Sequence, residues 1–600
     1  MPVYPFTSSR FLARALALLS LLSVFLPTGM LIPVSVRAAT PFVRVADGHL
    51  LFGDQPIILK GSNFYPRAAP WQYFWTQWDG PTVAADLAQV TELGDNTVRI
   101  LVPYGAAYGW TDAQTGAVSP LYRDELRQFV QLAGKQNVRV LITLFDFNGD
   151  FPAAGSAAEA RQLTYLTTIV NTFRDDDRVL AWDLHNEPDN YGTWQSANDP
   201  NDALDWLARI ATRTRELDPN HLVTVGAGRD TSFAQTDTAG HTLIGISDFV
   251  SLHCYNAPDL TRQITAVRAL AGDKPLILEE AGWPSGPLFS TKYSEAQQAT
   301  AYDTITAAAR TGELAGAMQW ALWDSLPFRN GAYDTFQDAF GLLHRDGSPK
   351  PAFSIWRDGF VAPSFPPPGT TGDLPLTTQP VDQAARPEFF PQTGHYVATP
   401  LQEFWRRVGG EAVFGLPLTD AFVDESMTTE RKVVQVFERG RMEYYPDRYH
   451  TPAFLNASHI LKYLVIIEQG HLGEEAAAAE GLTFARSEDH PRQGVPEQWF
   501  PETGHALSGA FLDYWTHLSF EGVPLGAPIF GPPISDPFVR TDAVDGKEYL
   551  VQYCRNARLE YPVGFPEQIA VARLGAELAQ TQGWLDTATP GYRVPADGAL

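Results

Sequence analysis

Two acidic positions in this chain have the surroundings of a bond-breaking pair. One closes the run Trp182-Asp-Leu-His-Asn186-Glu187-Pro188, and the other lies in Leu278-Glu279-Glu280-Ala-Gly282-Trp283. Each ends an apolar stretch of strand length. Two carboxylates facing one cleft can divide the work of cleaving a glycosidic bond. One donates a proton to the leaving oxygen, and the other attacks or activates water. The donor would have to be protonated at working pH, which requires a pKa raised by desolvation or by a nearby negative charge. The attacking carboxylate would have to be ionised. Glu279 and Glu280 adjoin on one strand, so alternation should send them to opposite faces; with Glu280 at the mouth, Glu279 would point toward surrounding helices and an ion pair there.

Eight apolar runs can position such a pair: 57–63, 96–102, 138–145, 179–185, 222–226, 249–255, 275–280 and 316–322. Each is followed by a loop and a helical stretch. The stretch 294–310, for example, opens with Ser294 and Gln297 as a capping box. Eight strands alternating with helices predict an α/β fold, a (β/α)8 TIM barrel, whose reactive side chains gather at the C-terminal strand ends. Residues 42–55 read as a small hairpin able to plug the N-terminal face.

The barrel region resembles glycoside hydrolase family 5, within the clan of retaining barrel glycosidases. The resemblance rests on Asp86-Leu…Leu93-Gly-Asp-Asn96-Thr-Val-Arg99, Leu184-His-Asn186-Glu187-Pro188, His253-Cys-Tyr255, Pro275-Leu-Ile-Leu-Glu-Glu280-Ala-Gly282 and Gly316…Trp320. It implies that Glu187 is the acid/base and Glu280 the nucleophile, with carboxyls about 5–5.5 Å apart. It further implies Arg99 beside the nucleophile, Asn186 on the sugar 2-hydroxyl and Tyr255 on the nucleophile. His253 would line the same wall, and Trp320 would form the floor under the sugar.

Each assignment has a plainer counterpart. Arg99 could be a strand-end ion pair, His253 a hydrogen-bonded core residue, and Trp320 or the competing Trp323 a core indole. His185 reads as structural. Trp71, Trp75, Trp78, Trp110 and Trp283 fall in loops, where they could stack on further sugars or simply pack. Many members of the family carry a His at the end of the third strand. This chain has Leu144-Phe-Asp146-Phe-Asn148 there, which leaves the sugar unnamed. No metal motif, phosphate loop or dinucleotide fingerprint stands in convincing context, and the chemistry needs no cofactor.

The remaining features set the context. The chain has 600 residues, with 69 acidic against 44 basic side chains and a formal net charge of −25, which disfavours nucleic acid as a partner. Its two cysteines, Cys254 and Cys554, can build no disulfide framework. Arg10 and Arg14 precede an uncharged apolar segment at 15–36, and Val36-Arg37-Ala38 offers a cleavage site. Residues 1–38 therefore read as a signal peptide of a secreted protein; left uncleaved, the segment would anchor the chain in a membrane.

The barrel domain spans 41–361, a Pro-rich linker 362–385, and a β-rich accessory region of two repeats 386–600. Phe390-Pro-Gln-Thr-Gly-His395 recurs as Phe500-Pro-Glu-Thr-Gly-His505. Gly415-Leu-Pro-Leu-Thr-Asp420 recurs as Gly531-Pro-Pro-Ile-Ser-Asp536, and Arg441-Met-Glu-Tyr444 as Arg558-Leu-Glu-Tyr561. These polar residues fix turns, or they form a ligand site for attachment to a glycan or cell surface.

The expected function is a secreted retaining hydrolase of β-1,4-linked gluco- or manno-glycans, with a polysaccharide or oligosaccharide as substrate. A catalytically inactive carbohydrate-binding or surface protein is the alternative from another class, disfavoured because both acids are present. A transglycosylase would use the same residues.

Overall fold

Eight strands, each buried along its length, close into a parallel barrel in the expected order. They are β1 (Leu59–Asn63), β2 (Thr97–Pro103), β3 (Arg139–Asp146), β4 (Val179–Asn186), β5 (Leu222–Ala227), β6 (Val250–Cys254), β7 (Leu276–Ala281) and β8 (Gly316–Gln319). The computed structural model describes residues 41–582, apart from 68, 72, 287–291, 326–335, 380–387, 425–429, 488–493, 495 and 543–544. The signal segment 1–38 and the linker residues 380–385 lie outside the described residues. Among those described, no helix is long and apolar enough to cross a membrane, and Cys254 and Cys554 are buried free thiols.

Mainly apolar runs make most of these strands because both barrel faces are covered, the interior by packed side chains and the exterior by helices; β1, with buried Lys60, Ser62 and Asn63, is the polar exception. Helix starts follow the capping signals. The Ser156 hydroxyl accepts from the Glu159 N–H to open Ala157–Phe173. Ser294 accepts from the Gln297 N–H to open Glu295–Arg310. Val43–Ala46, His49–Phe52 and Gln55–Pro56 form a small antiparallel sheet. Its Val43 and Leu50 pack on Leu59, Leu141, Leu180 and Ile277, closing the N-terminal end of the barrel.

The pairing slips near the C-terminal ends of three strands, where the site lies. Leu101 and Pro103 face Thr143 and Asp146, so β3 carries an extra residue. Asp183 and Asn186 face Thr224 and Gly226, so β4 does too. Leu278 and Glu280 face Leu252 and His253, so Glu279 is the extra residue of β7. Such bulges bend a strand and re-aim its side chains.

The segment expected to be a semi-extended linker is bound along the barrel wall instead. Residues 361–379 form no helix or strand, and barrel side chains satisfy much of their backbone. Asn96 donates to the Pro363 carbonyl (2.9 Å) and Arg139 to that of Pro366 (3.0 Å). The Asp177 carboxylate accepts from the N–H groups of Gly369 (2.7 Å) and Thr370 (2.9 Å). Gln131 accepts from the Leu374 N–H (2.6 Å), and Gln379 donates to buried Glu125 (2.6 Å). Proline bars this segment from a sheet ladder, so its polar groups are paired one at a time.

In the accessory region one element order occurs twice. A hairpin (Glu388–Phe390, His395–Val397) leads to helices Leu401–Arg407 and Gly410–Phe414, then to a four-stranded antiparallel sheet. A second hairpin (Glu497–Phe500, His505–Ser508) leads to Gly509–His517 and Gly526–Phe530 and to a second such sheet. The shared polar residues hold turns: Gln435 donates to the Thr419 carbonyl and Gln552 to that of Ser535, both at 2.8 Å.

Each half ends in a helix that docks on the other half. The Glu474 N–H at the start of Leu472–Ala479 donates to the Arg555 carbonyl (3.1 Å). The Ala576 N–H at the start of Leu574–Thr581 donates to the Glu438 carbonyl (3.0 Å). A Cβ on Gly473 would lie 1.9 Å from the Cys554 carbonyl oxygen, and one on Gly575 1.8 Å from that of Phe437. Both crossings therefore need glycine.

Candidate active site

The C-terminal mouth of the barrel opens into a cavity of about 540 Å³. Asn186, Glu187, Tyr255, Glu280 and Trp320 line it, so five of the seven expected site residues meet there. The other two, Arg99 and His253, are brought to the same place but lie beneath the surface, 0% and 1% exposed. They reach a bound sugar only through their neighbours: Arg99 stands beside Glu280, and His253 lies behind the wall it was expected to line.

Arg99 projects from β2 into a ring of acceptors. It donates to Asp183 (2.8 Å), to Asn186 Oδ1 (2.9 Å), to Asn63 Oδ1 (3.0 Å) and to Glu280 Oε1. Its Nε is 3.7 Å from Glu279 Oε2. A guanidinium only donates, so it fixes the Asn186 amide with its oxygen inward and its NH₂ toward the cavity. That is the orientation a sugar hydroxyl would meet. Burial would lower Arg99, but the carboxylates of Glu279, Glu280 and Asp183 hold it well above its ordinary value.

The two expected acids face each other. An oxygen of Glu187, one of Glu280 and a ring nitrogen of His253 all lie within 4.8 Å of one another. Glu280 also receives the Tyr255 hydroxyl, which donates to its Oε2. Burial and the adjoining Glu280 and Glu187 carboxylates push that phenol well above its ordinary value, so it remains a donor. Glu187 follows the end of β4 at φ 49°, a region costly for a residue with a side chain. Its N–H is held by the Gly226 carbonyl at 2.9 Å.

The charge state of Glu187 differs from the expectation. Burial works to raise it, but the His253 hydrogen bond and charge, the Asn190 amide and Arg99 outweigh burial and hold it below the ordinary glutamate value. His253 Nδ1 lies 2.9 Å from Glu187 Oε1, and the Asn190 amide donates to Oε2 at 2.7 Å. His253 moves the other way. Burial would lower it, but Glu280, Glu187 and Glu279 push it up to about 10. The pair therefore holds a proton, and the imidazole is its stronger holder.

Glu279 also departs from expectation. It does not point toward the helices. Its side chain is fully buried inside the barrel, with Oε2 3.1 Å from His253 Nε2. The β7 bulge cancels the alternation, so two consecutive carboxylates enter the interior.

Trp320, Trp71, Leu101 and Phe340 form an apolar floor, with the two indoles 5.4 Å apart. Asp146 and Phe147, from the end of the third strand and just past it, also line the cavity, and Phe147 packs against this floor. Trp75, Trp78 and Trp110 are core residues at 0–1% exposure, so of the two readings open for them packing is the one the structure shows. Trp75 stacks on Trp78 and on Phe74, and Trp110 meets Trp75 edge-on. His185 is structural as expected, its ring nitrogens facing the carbonyls of Asn148 and Asn186. Sequence reasoning missed Asn63 and Asn190. Asn63 carries a faint signal, being a polar residue that ends an apolar strand at the mouth. Asn190, in a loop, carries none.

Residues 59–311 match the family described as Cellulase (glycosyl hydrolase family 5). The chain is similar to a mannan endo-1,4-beta-mannosidase of Cryptopygus antarcticus, 24% identical over 302 residues, covering 40% of this chain and 77% of that protein. It is also similar to a putative mannan endo-1,4-beta-mannosidase 9 of Oryza sativa subsp. japonica, 26% identical over 176 residues, covering 25% and 42%. The chain spans less than half the length of most of these curated relatives. Among solved structures, an exo-beta-1,4-mannosidase from Opitutaceae bacterium strain TAV5 aligns at 20% identity with a TM-score of 0.42, covering 53% of this chain and 61% of that one.

Proposed function

The barrel is a glycosyl hydrolase family 5 domain, and on that premise we propose that the protein is a secreted hydrolase of β-1,4-mannosidic linkages, acting by retaining double displacement. The observation that carries this reading is the approach of the Glu187 and Glu280 carboxylates to within 4.8 Å at the cavity. That spacing suits direct attack, because an inverting pair stands about 6.5–9.5 Å apart to admit a water.

In the first step a Glu280 oxygen attacks the anomeric carbon and the glycosidic C–O bond breaks. A proton passes through Glu187 to the leaving oxygen. In the second step water attacks the glycosyl-Glu280 ester, gives its proton to Glu187 and frees Glu280. Arg99 and Tyr255 direct hydrogen bonds at Glu280 and fix which oxygen faces the sugar. The Asn186 NH₂ would donate to the 2-hydroxyl, a contact that strengthens as charge develops. The Trp320 face would take the C–H groups of the ring.

The manno choice rests on what the curated relatives are named for. Export rests on the arginine-flanked apolar segment ending at Ala38 and is checked by sequencing the N-terminus of exported protein. The central experiment offers β-1,4-manno- and gluco-oligosaccharides and follows the products by NMR. β-Anomers appearing first from the manno series support the reading. α-Anomers first would replace retention with inversion, and cleavage of gluco-oligosaccharides alone would overturn the substrate.

A further inference from the structure

Glu279 takes no part in the displacement above, yet its carboxyl is fully buried at the base of the site. Several features hold it there. The β7 bulge turns it inward. The Asn63 amide donates to its backbone carbonyl (2.9 Å) and to that of Gln319 (3.1 Å), securing the distorted backbone. Gly226 leaves room for its contact with His253: a Cβ there would lie 2.2 Å from Glu279 Oε2 and 2.4 Å from His253 Nε2.

The consequence lies in the ring between the acids. His253 presents Nε2 to Glu279 at 3.1 Å and Nδ1 to Glu187 at 2.9 Å. A neutral imidazole has one N–H and one lone pair. With Nε2–H on Glu279, the lone pair at Nδ1 can accept a proton from Glu187. With both nitrogens protonated, Nδ1–H donates to an ionised Glu187. In either state one proton lies between Glu187 and His253. The opposite tautomer would aim a lone pair at Glu279 Oε2.

The charges around the ring are Glu279 and Glu280 from β7, Glu187 and Asp183 from β4 and its end, and Arg99 from β2; the Tyr255 phenol lies just past the end of the His253 strand. Arg99 is the cation among them, and three carboxylates share it.

We infer that Glu279 is a positioning residue: by holding the Nε2–H of His253 it commits the Nδ1 side of the ring to a proton shared with Glu187, the proton delivered to the leaving oxygen. In the first step that proton leaves the pair through Glu187, and His253 ends neutral with Nε2–H still on Glu279. In the second step the proton of the attacking water restores the pair. The inference deepens the hydrolase reading and rests on it for the fate of the proton.

Two measurements test it. The first reads the ring without turnover. In protein labelled with ¹⁵N-histidine, the His253 signals are identified by their loss in His253→Gln. Nε2 should remain protonated from about pH 5 to about pH 9. An Nε2 bearing the lone pair overturns the inference whether or not any glycan is cleaved, whereas absence of cleavage alone would overturn the hydrolase reading. The second uses Glu279→Gln, which keeps the shape and an acceptor but removes the charge. The alkaline limb of its kcat/KM profile should move to lower pH by about one unit or more, because the protonated pair loses a stabilising negative charge. Glu279→Asp should move it back toward the original position. A fall in kcat with the limb unmoved would mean that Glu279 only packs.

Discussion

Glu279 and Glu280 are consecutive in the chain, yet both carboxylates enter the barrel, Glu279 against His253 and Glu280 against Arg99 and Tyr255. The bulge makes them neighbours in space and separates their work. Glu280→Ala should abolish turnover, and azide should then yield an α-glycosyl azide by entering the vacated side. Glu187→Ala should cost about 10²–10⁴-fold in kcat on natural linkages, and azide should yield the β-glycosyl azide by intercepting the intermediate. Product analysis by NMR reads both. Full activity in Glu280→Ala, or exchanged azide anomers, would reverse the roles.

The bound segment 361–379 sets where the barrel can be cut. Ending the protein at Val361 would leave Glu125, Gln128, Gln131 and Asp177 without partners that now satisfy them. A buried polar group left unpaired costs about 1–3 kcal/mol. Protein ending after Gln379 should therefore melt well above protein ending at Val361, by calorimetry. It should keep its activity on short substrates. If the accessory halves attach the enzyme to insoluble glycan, their removal should weaken retention there alone. Equal melting temperatures for the two truncations would show that the segment adds no stability.

Glu125 adds a pH dependence to the same contact. Burial pushes its carboxyl up to about 7, with the Gln379 hydrogen bond opposing the rise. A folded value above the ordinary one means that the fold favours the protonated form. The stability it contributes is present below the ordinary value near 4.5 and is lost as pH rises through about 7. Melting curves across this range should show that loss, and Glu125→Gln should flatten it. An unchanged slope in the variant would remove Glu125 as the cause.

The exchanged helices make the two accessory halves one folding unit. Gly473→Ala or Gly575→Ala would drive a methyl into a carbonyl oxygen, and overpacking costs about 1–3 kcal/mol. Either substitution should lower an accessory melting transition and leave turnover of short substrates unchanged. A fall in catalytic rate instead would tie these halves to the active site.

The barrel was legible because most strands are mainly apolar runs that alternate with helical stretches, and Glu187 and Glu280 because short motifs mark the strand ends that carry them. What escaped depended on local geometry or distant neighbours. Alternation places Glu279 outside the barrel, and only the extra residue in β7 brings it in. Trp75, Trp78 and Trp110 fall outside the barrel strands, but nothing in their spacing shows that they pack together around Trp75. The charge of Glu187 is set by His253, 66 residues along the chain, through a ring whose own charge depends on Glu279. The Pro-rich segment announced the absence of a ladder, while its partners on the barrel are single side chains such as Asp177 and Gln131.

The most direct test of the account is to trap the covalent intermediate. A 2-deoxy-2-fluoro-β-mannosyl fluoride carries a good leaving group, and its fluorine slows both steps, so the glycosyl ester should accumulate. Peptide mass spectrometry of the inactivated protein should find the sugar on Glu280. A sugar on Glu279, or steady hydrolysis with no adduct and release of the α-anomer, would contradict double displacement at Glu280.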